Sequence, residues 1–457
     1  MIAFRVDANK QIGLGHIMRC ISVAKELVKR NVEVLFITAD YHPTDIIKKA
    51  NFQHIVLDSD YKHLENEVEL LLPILTNKQV NCLIVDSYFI SNKYFETLKN
   101  NVLTAYIDDL AETRFSVDIL INYNIFSDYQ LYEKLYQNSQ TKLLLGAKYA
   151  PLREEFQHVT LKEIGEHIED ILITTGGTDP YNICFLLAKH ILKEKSFRNK
   201  KIHIVIGNYF TNTAQLKKIA KHCNQLHIYE NIECISQLLL KCDIAISASG
   251  TTLYELCACG TPSIIFSFAD NQTRIRKAFG EQNVMRDCGD FRTDTKYCIQ
   301  HIMQSINELE NKNLRILLCQ KELKAVDGHG AYYLATQLLD SIAIHKKRRA
   351  KMIINENNHD KSDLYTPEIK EYVEEVFRYI CSISELRNVL DEIKKQADLM
   401  KPLFISTAEQ KEKADLLHLF HIKMQNMTYQ TLKNMEQYQL AGWKELIYDE
   451  GNDDENE

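Results

Sequence analysis

The chain has 457 residues, enough for about two or three domains of ordinary size, and its 45% hydrophobic content can fill large cores. The 55 Lys and Arg against 62 Asp and Glu leave a formal charge of −7, with no basic surplus to point to nucleic acid. No apolar run approaches the ~18 residues of a membrane helix, and no charged n-region precedes an apolar stretch at the N-terminus; a soluble, cytoplasmic protein is expected. The 12 cysteines are scattered. Cys257 and Cys259 form the close pair, with no second pair at zinc-ribbon spacing, so reduced structural thiols are expected and no metal.

The first predicted strand covers 2–6 and runs into a loop with Gly13 and Gly15. A helix then opens at His16, with Ile17, Val23, Ala24 and Leu27 on one face. Further strands are predicted over 32–38, 54–57, 82–86, 103–107 and 119–121, with helical patterns between most of them, which is the alternation of a parallel sheet covered by helices. The pattern pauses around 146–156, at Pro151. It restarts with strands over 171–175, 202–206, 227–229, 244–247 and 263–266 and ends near Gly330. The fold class is therefore α/β: two Rossmann-like domains, 1–155 and 156–345, facing a cleft. Ligands in such sheets bind beyond the carboxyl ends of the strands, so both glycine loops are expected at that cleft. Past 345 the composition changes. A basic run at 345–351 opens a polar linker over 346–365. Apolar residues at helical spacing from Ile369 to Tyr438 then suggest a helical module over 366–448, and 449–457 is an acidic tail.

Four segments carry chemistry. Gly13-Leu14-Gly15-His16 joins a strand to a helix N-terminus, where free N–H groups and the helix dipole favour an anion. His16 there can move a proton near neutral pH, with Asp7 and Arg19 close enough in sequence to orient or balance it. Gly176-Gly177-Thr178 follows a buried strand, and its glycines let the backbone approach a ligand beside a hydroxyl; a plain turn before Pro180 is the simpler reading. Ser249-Gly250-Thr251-Thr252 opens a helix and suits a diphosphate. Glu255 can accept from ribose hydroxyls, although Thr252 with Glu255 also fits a capping box. Asn271 and Gln272 follow a strand and suit a sugar or phosphate, or a solvated loop. Asp58-Ser59-Asp60 matches a metal-chelating D-x-D but reads more simply as a loop, and Asp108-Asp109 as a helix N-cap or a group reaching the cleft.

These segments resemble a known family. R-x-D-x-x-x-x-I-G-x-G-H-x-x-R at 5–19, Tyr149-Ala150-x-Leu152-Arg153-x-Glu155-Phe156, Gly176 to Pro180, Ser249 to Glu255, Asn271-Gln272 and Asp327-Gly328-x-Gly330-Ala331 are similar to the UDP-sugar hydrolases of pseudaminic acid biosynthesis. The likeness covers about 1–340. It implies the GT-B architecture, shared with the glycosyltransferase that makes lipid II. It further implies metal-independent, inverting hydrolysis of the anomeric C–O bond of a UDP-linked diacetamido-trideoxy sugar, with no cofactor. The family's catalytic histidine falls on His16. Gly13, Gly15, Arg19, Asn271 and Gln272 would touch substrate. The nucleotide would sit on Gly176, Gly177, Thr178, Ser249, Gly250, Thr251, Thr252 and Glu255.

Two other functions fit the same sequence. A GT-B glycosyltransferase would use an acceptor in place of water and needs an acceptor groove, which nothing in the first 150 residues plainly supplies. A non-catalytic sugar-nucleotide sensor would use the C-terminal helices as output. The likeness does not extend to 366–448, where apolar stripes suggest a second copy or a protein partner.

Overall fold

The computed structural model describes residues 1–357, apart from 10, 100, 110–112, 128, 208, 231 and 233. The expected helical module over 366–448 and the acidic tail lie outside the described residues. The chain divides into Met1–Ala335, which holds both sheets, and Thr336–Glu457, which begins inside the last described helix.

The first sheet is built from β1 (Ile2–Val6), β2 (Val34–Thr38), β3 (Gln53–Val56), β4 (Cys82–Asp86), β5 (Leu103–Ile107), β6 (Ile119–Asn122) and β7 (Lys142–Leu145). All pairings are parallel, in the order β3-β2-β1-β4-β5-β6-β7. Helices α1 (Gly15–Val28), α2 (Thr44–Lys49), α3 (Val68–Asn77), α4 (Asn92–Leu98) and α5 (Tyr129–Leu135) connect them. Strands β1, β2, β4 and β5 are buried at every position, because helices cover both faces of a parallel sheet.

The second sheet comprises β8 (Asp170–Thr174), β9 (Lys201–Ile206), β10 (Leu226–Glu230), β11 (Ile244–Ala248), β12 (Ser263–Ser267) and β13 (Arg286–Asp290), in the parallel order β10-β9-β8-β11-β12-β13. Its helices are α6 (Ile183–Lys193), α7 (Ala214–Ala220), α8 (Ile235–Lys241), α9 (Thr252–Cys259), α10 (Asp270–Glu281), α11 (Thr295–Glu308) and α12 (Lys312–Ala325), and α13 (Gly330–Asn357) follows. Each sheet has its own core. Ile37, Leu83, Val85 and Leu71 belong to the first, and Ile173, Ile204, Ile246 and Ile264 to the second.

Two Rossmann-like sheets were expected and are present. Strands β7 and β13 were not: K-L-L-L is too short to show alternation, and R-D-C-G-D buries only Cys288 at a sheet edge. Strand β2 starts two residues later than expected, because Val32 N–H still closes α1 through the Leu27 carbonyl, after Asn31 turns at φ +59°. Residues 346–357, expected as linker, continue α13; Lys, Arg, Ala, Met and Glu dominate them, with no glycine or proline to end the helix.

Each sheet reverses strand order once, between β1 and β4 and between β8 and β11. A crevice opens at such switch points, and they position the candidate site.

Candidate active site

Beyond β1 the chain folds tightly. The Asn9 carboxamide oxygen accepts from the N–H groups of Gln11 and Ile12, both at 2.9 Å, and Gly13 N–H donates to the Asn9 carbonyl at 2.8 Å. Gly13 sits at φ +82°, a conformation that glycine tolerates and other residues rarely adopt. This turn delivers the chain to α1, and His16 falls on its first turn, only 5% exposed.

His16 Nδ1 lies 2.5 Å from Oδ1 of Asp86, the last residue of β4. A carboxylate only accepts, so Nδ1 carries a proton, and in the neutral ring Nε2 keeps its lone pair. Arg19, one turn along α1, donates from Nε and Nη2 to both Asp86 oxygens at 2.6 and 2.5 Å. It also donates to Asp109 at 2.9 Å and to Tyr123 Oη at 2.7 Å. Asp109 accepts as well from Asn124 Nδ2 at 3.1 Å and from Tyr88 Oη at 3.2 Å, and the Tyr88 ring meets His16 edge-on at 4.6 Å. Burial alone would raise Asp86; the charges and hydrogen bonds of Arg19 and His16 outweigh it and hold the carboxyl well below the usual range. The result is a buried His–Asp dyad steadied by one guanidinium. It can take a proton at Nε2 and keep the imidazolium that forms paired.

Asp7 does not orient His16. It pairs with Arg5 at 2.5 Å and accepts from Ala39 N–H at 2.7 Å, while Arg5 donates to Glu67 at 2.6 Å. A charged residue inside a fully buried strand must find such partners, and Asp7 serves that need. Asp86 takes the role instead. Its signal was in the sequence: it ends the predicted strand that becomes the switch-point neighbour of β1. Asp109 reaches the site and caps no helix among the described residues; Asp108 accepts from Tyr132 Oη at 2.8 Å. Asp60 bonds Lys62 N–H at 2.9 Å and His63 at 2.8 Å within a loop, the simpler of its two readings.

In the second half, Gly176 follows β8 at φ +80°, and Gly177 and Thr178 are exposed. Gly207 lies so close beneath that a Cβ would overlap the Gly176 carbonyl and sit 2.6 Å from that of Gly177. Asp179 fills the N-terminus of α6, accepting from Ile183 and Cys184 N–H at 2.7 and 2.9 Å. The N-terminus of α9 is different: among the described residues no side chain caps it. Gly250, Leu253 and Tyr254 N–H bond back to Ala248, Gly250 and Thr251, whereas those of Thr251 and Thr252 have no backbone acceptor among the described residues. Ser249 is spent structurally, its hydroxyl donating to the Phe266 carbonyl at 2.9 Å. Glu255 forms no capping box. Arg153 donates to it at 3.0 Å and pairs with Glu155 at 2.7 Å. Burial pushes the Glu255 carboxyl up, and Arg153 opposes the shift. Gln272, in the first turn of α10, accepts from Phe268 N–H at 2.9 Å, and Asn271 beside it is exposed. Cys257 and Cys259 are buried core thiols, both pushed up by desolvation.

The structure thus brings His16, Arg19, Gly13 and Gly15 together at one switch point. Gly176–Thr178, Gly250–Glu255 and Asn271–Gln272 lie at the carboxyl ends of β8, β11 and β12. Asp86, Tyr88, Tyr123, Asn124 and Arg153 complete the constellation and were not singled out as site residues from sequence, whereas reaching the cleft was one of the two readings of Asp109.

Residues 171–316 match the glycosyltransferase family 28 C-terminal domain. An uncharacterized protein of Methanocaldococcus jannaschii is 26% identical over 58% of this chain, which spans 55% of the length of that relative. The UDP-2,4-diacetamido-2,4,6-trideoxy-beta-L-altropyranose hydrolase of Campylobacter jejuni is 28% identical over 54% of this chain and 85% of its own. Among solved structures, MurG of Acinetobacter baumannii superposes with a TM-score of 0.50 at 14% identity, over 73% of this chain and 97% of that one. The fold is therefore GT-B, as the resemblance implied. Among the described residues no helix is long and apolar enough to cross a membrane.

Proposed function

We propose that this protein is a hydrolase that cleaves the anomeric C–O bond of a UDP-linked diacetamido-trideoxy sugar, giving UDP and free sugar in pseudaminic (nonulosonic) acid biosynthesis. The observation that carries this reading is the His16–Asp86 pair at 2.5 Å on the switch point of the first sheet. The similarity to the Campylobacter hydrolase supports the substrate class.

In this mechanism His16 Nε2 takes a proton from water as its oxygen attacks the anomeric carbon. The C–O bond to the diphosphate breaks, UDP leaves with the bonding pair, and configuration inverts. Asp86 fixes the tautomer and stabilises the imidazolium, so general-base help of roughly 100- to 10,000-fold is available. The Thr251 and Thr252 N–H groups at the α9 N-terminus receive the departing diphosphate, where backbone donors and the helix dipole stabilise growing charge. Gly176, Gly177 and Thr178 border the nucleotide, and Glu255 accepts from ribose hydroxyls. Gly13, Gly15 and Arg19 frame the sugar end, with Asn271 and Gln272 facing the sugar or phosphate from the second half.

The test is incubation with a panel of UDP-sugars, following UDP and free sugar by NMR. Release of both in water supports the reading. The match to a glycosyltransferase domain over 171–316 favours a second reading, transfer to an acceptor. Turnover that requires an added acceptor, with none in water alone, would replace hydrolysis by transfer.

A further inference from the structure

We infer that Tyr254 is a positioning residue that couples helix α9 to the His16–Asp86 dyad in the other half of the molecule. This rests on the reading of the α9 N-terminus as the diphosphate site.

Tyr254 lies on the first turn of α9, two residues after Thr252, and is almost fully buried. Its hydroxyl leaves its own domain. It accepts from Ile125 N–H at 3.2 Å and donates to Asn124 Oδ1 at 3.4 Å, both on the loop after β6. Asn124 donates to Asp109, Asp109 holds Arg19, Arg19 holds Asp86, and Asp86 holds His16. Every bond in that series runs between side chains. The Tyr254 ring packs edge-on against Tyr123 at 5.7 Å, which seats the hydroxyl at this loop.

The same loop takes the other contacts from this side of the second half. Gln282, just past α10, donates to the Ile125 carbonyl at 3.1 Å, and Arg274 lies over the Phe126 ring at 4.3 Å. Buried polar networks have few satisfied arrangements, since an orphaned group inside a protein is costly. Asn122 Oδ1 also holds Asn124, accepting from its N–H and Nδ2 at 2.9 and 3.0 Å. A shift of α9 therefore strips the Asn124 Oδ1 of its donor and loosens one of the two holds on the carboxamide that reaches Asp109. With α9 seated, Asp109 and Tyr123 share the guanidinium of Arg19, and Asp86 keeps one oxygen on His16. The nucleotide end and the general base are thereby set together.

Tyr254→Phe keeps the ring and removes the bridge. Losing one such hydrogen bond is worth roughly three- to tenfold in rate. The variant should lose that in kcat while KM and the Kd for UDP stay within about twofold. Hydrogen exchange with UDP alone as the probe reads the coupling directly. In the wild type, UDP should slow exchange over 249–256 and also over 122–126 and 15–22. In Tyr254→Phe, and in Asn124→Ser one link further along, only 249–256 should respond. Slowing over 15–22 that survives both substitutions, or that is missing from the wild type while 249–256 responds, would overturn the coupling. A wild type in which UDP slows nothing would instead overturn the nucleotide reading, and this inference with it.

Discussion

Asp86→Asn separates the orienting role of the carboxylate from its charge. In the wild type Asp86 only accepts, so His16 carries its proton on Nδ1 and presents Nε2 as a base. An asparagine that turns its Nδ2 to the ring donates to Nδ1, which moves the ring proton to Nε2 and removes the base, and in either orientation the charge that stabilises the imidazolium is gone. The loss should equal the general-base contribution, roughly 100- to 10,000-fold in kcat, or about 3–5 kcal/mol. The same exchange in a Ser-His-Asp triad costs roughly 10,000-fold. The fold should survive. Arg19 keeps Asp109 at 2.9 Å and Tyr123 at 2.7 Å, so its guanidinium is not stranded, and the stability loss should stay at about 1–3 kcal/mol. Initial rates of UDP release, with UDP affinity by calorimetry as control, measure the first effect. Denaturant unfolding measures the second, and its pH dependence gives an independent check. Asp86 is held below its unfolded value of about 3.9, so its contribution is fully present above that pH and is lost as pH falls toward the folded value. The stability gap between wild type and variant should therefore narrow below about pH 4. A kcat within threefold of wild type, with that narrowing still seen, would show that the pair is structural and that His16 is not the base.

Other perturbations probe the remaining parts. His16→Ala should remove most turnover and leave UDP affinity near that of the wild type; calorimetry beside UDP-release rates checks both, and near-normal rates would end the general-base role. Glu255→Ala should weaken UDP binding about tenfold through lost ribose hydrogen bonds. An unchanged affinity with a lower Tm would assign Glu255 to its ion pair with Arg153 alone. Gly207→Ala should displace the 176–177 loop, because its Cβ would overlap the Gly176 carbonyl. A loss of about 1–3 kcal/mol by thermal melting, together with weaker UDP binding, is the expected result. Activity should survive EDTA, since Arg19 already occupies the space between Asp86 and Asp109 where a cation would need carboxylates. Loss restored by Mg²⁺ or Mn²⁺ would contradict this.

Much of the architecture was legible because parallel strands, buried on both faces, leave continuous apolar runs. Strands β1, β4 and β5 fall where the sequence places them, residue for residue. Where burial is one-sided or slight the signal fades, as at β13, whose Arg, Asp and Gly carry no strand pattern. Site residues divide along a similar line. His16 and Arg19 announce themselves beside a glycine turn. Asp86 ends β4 and Asp109 lies on the loop after β5, and only the strand order β1-β4-β5 brings them to His16. Asp7 misled because it is near His16 in sequence, yet Arg5 and Ala39 claim both its oxygens. Ser249 misled because a hydroxyl in a loop looks available, whereas here it donates to the Phe266 carbonyl of β12.

Two segments had likeness but no chemistry, 149–156 and 327–331, and the structure shows that they serve each other. A Cβ on Gly328 would overlap the Phe156 carbonyl, and one on Gly330 the Ala150 carbonyl; Gly328 also sits at φ +83°. Backbone meets backbone at both points, which only glycine permits. The segment pinned there carries Arg153, which reaches Glu255, and Glu155, which accepts from Ser236 N–H at 2.9 Å at the start of α8. Glycines far from the α9 N-terminus thus fix the cation that offsets the burial of Glu255. A side chain at 328 or 330 would lift 150–157 away from the second sheet. Glu255 would then lose Arg153 and drift toward its protonated form before any residue of the 176–178 or 249–255 segments had changed.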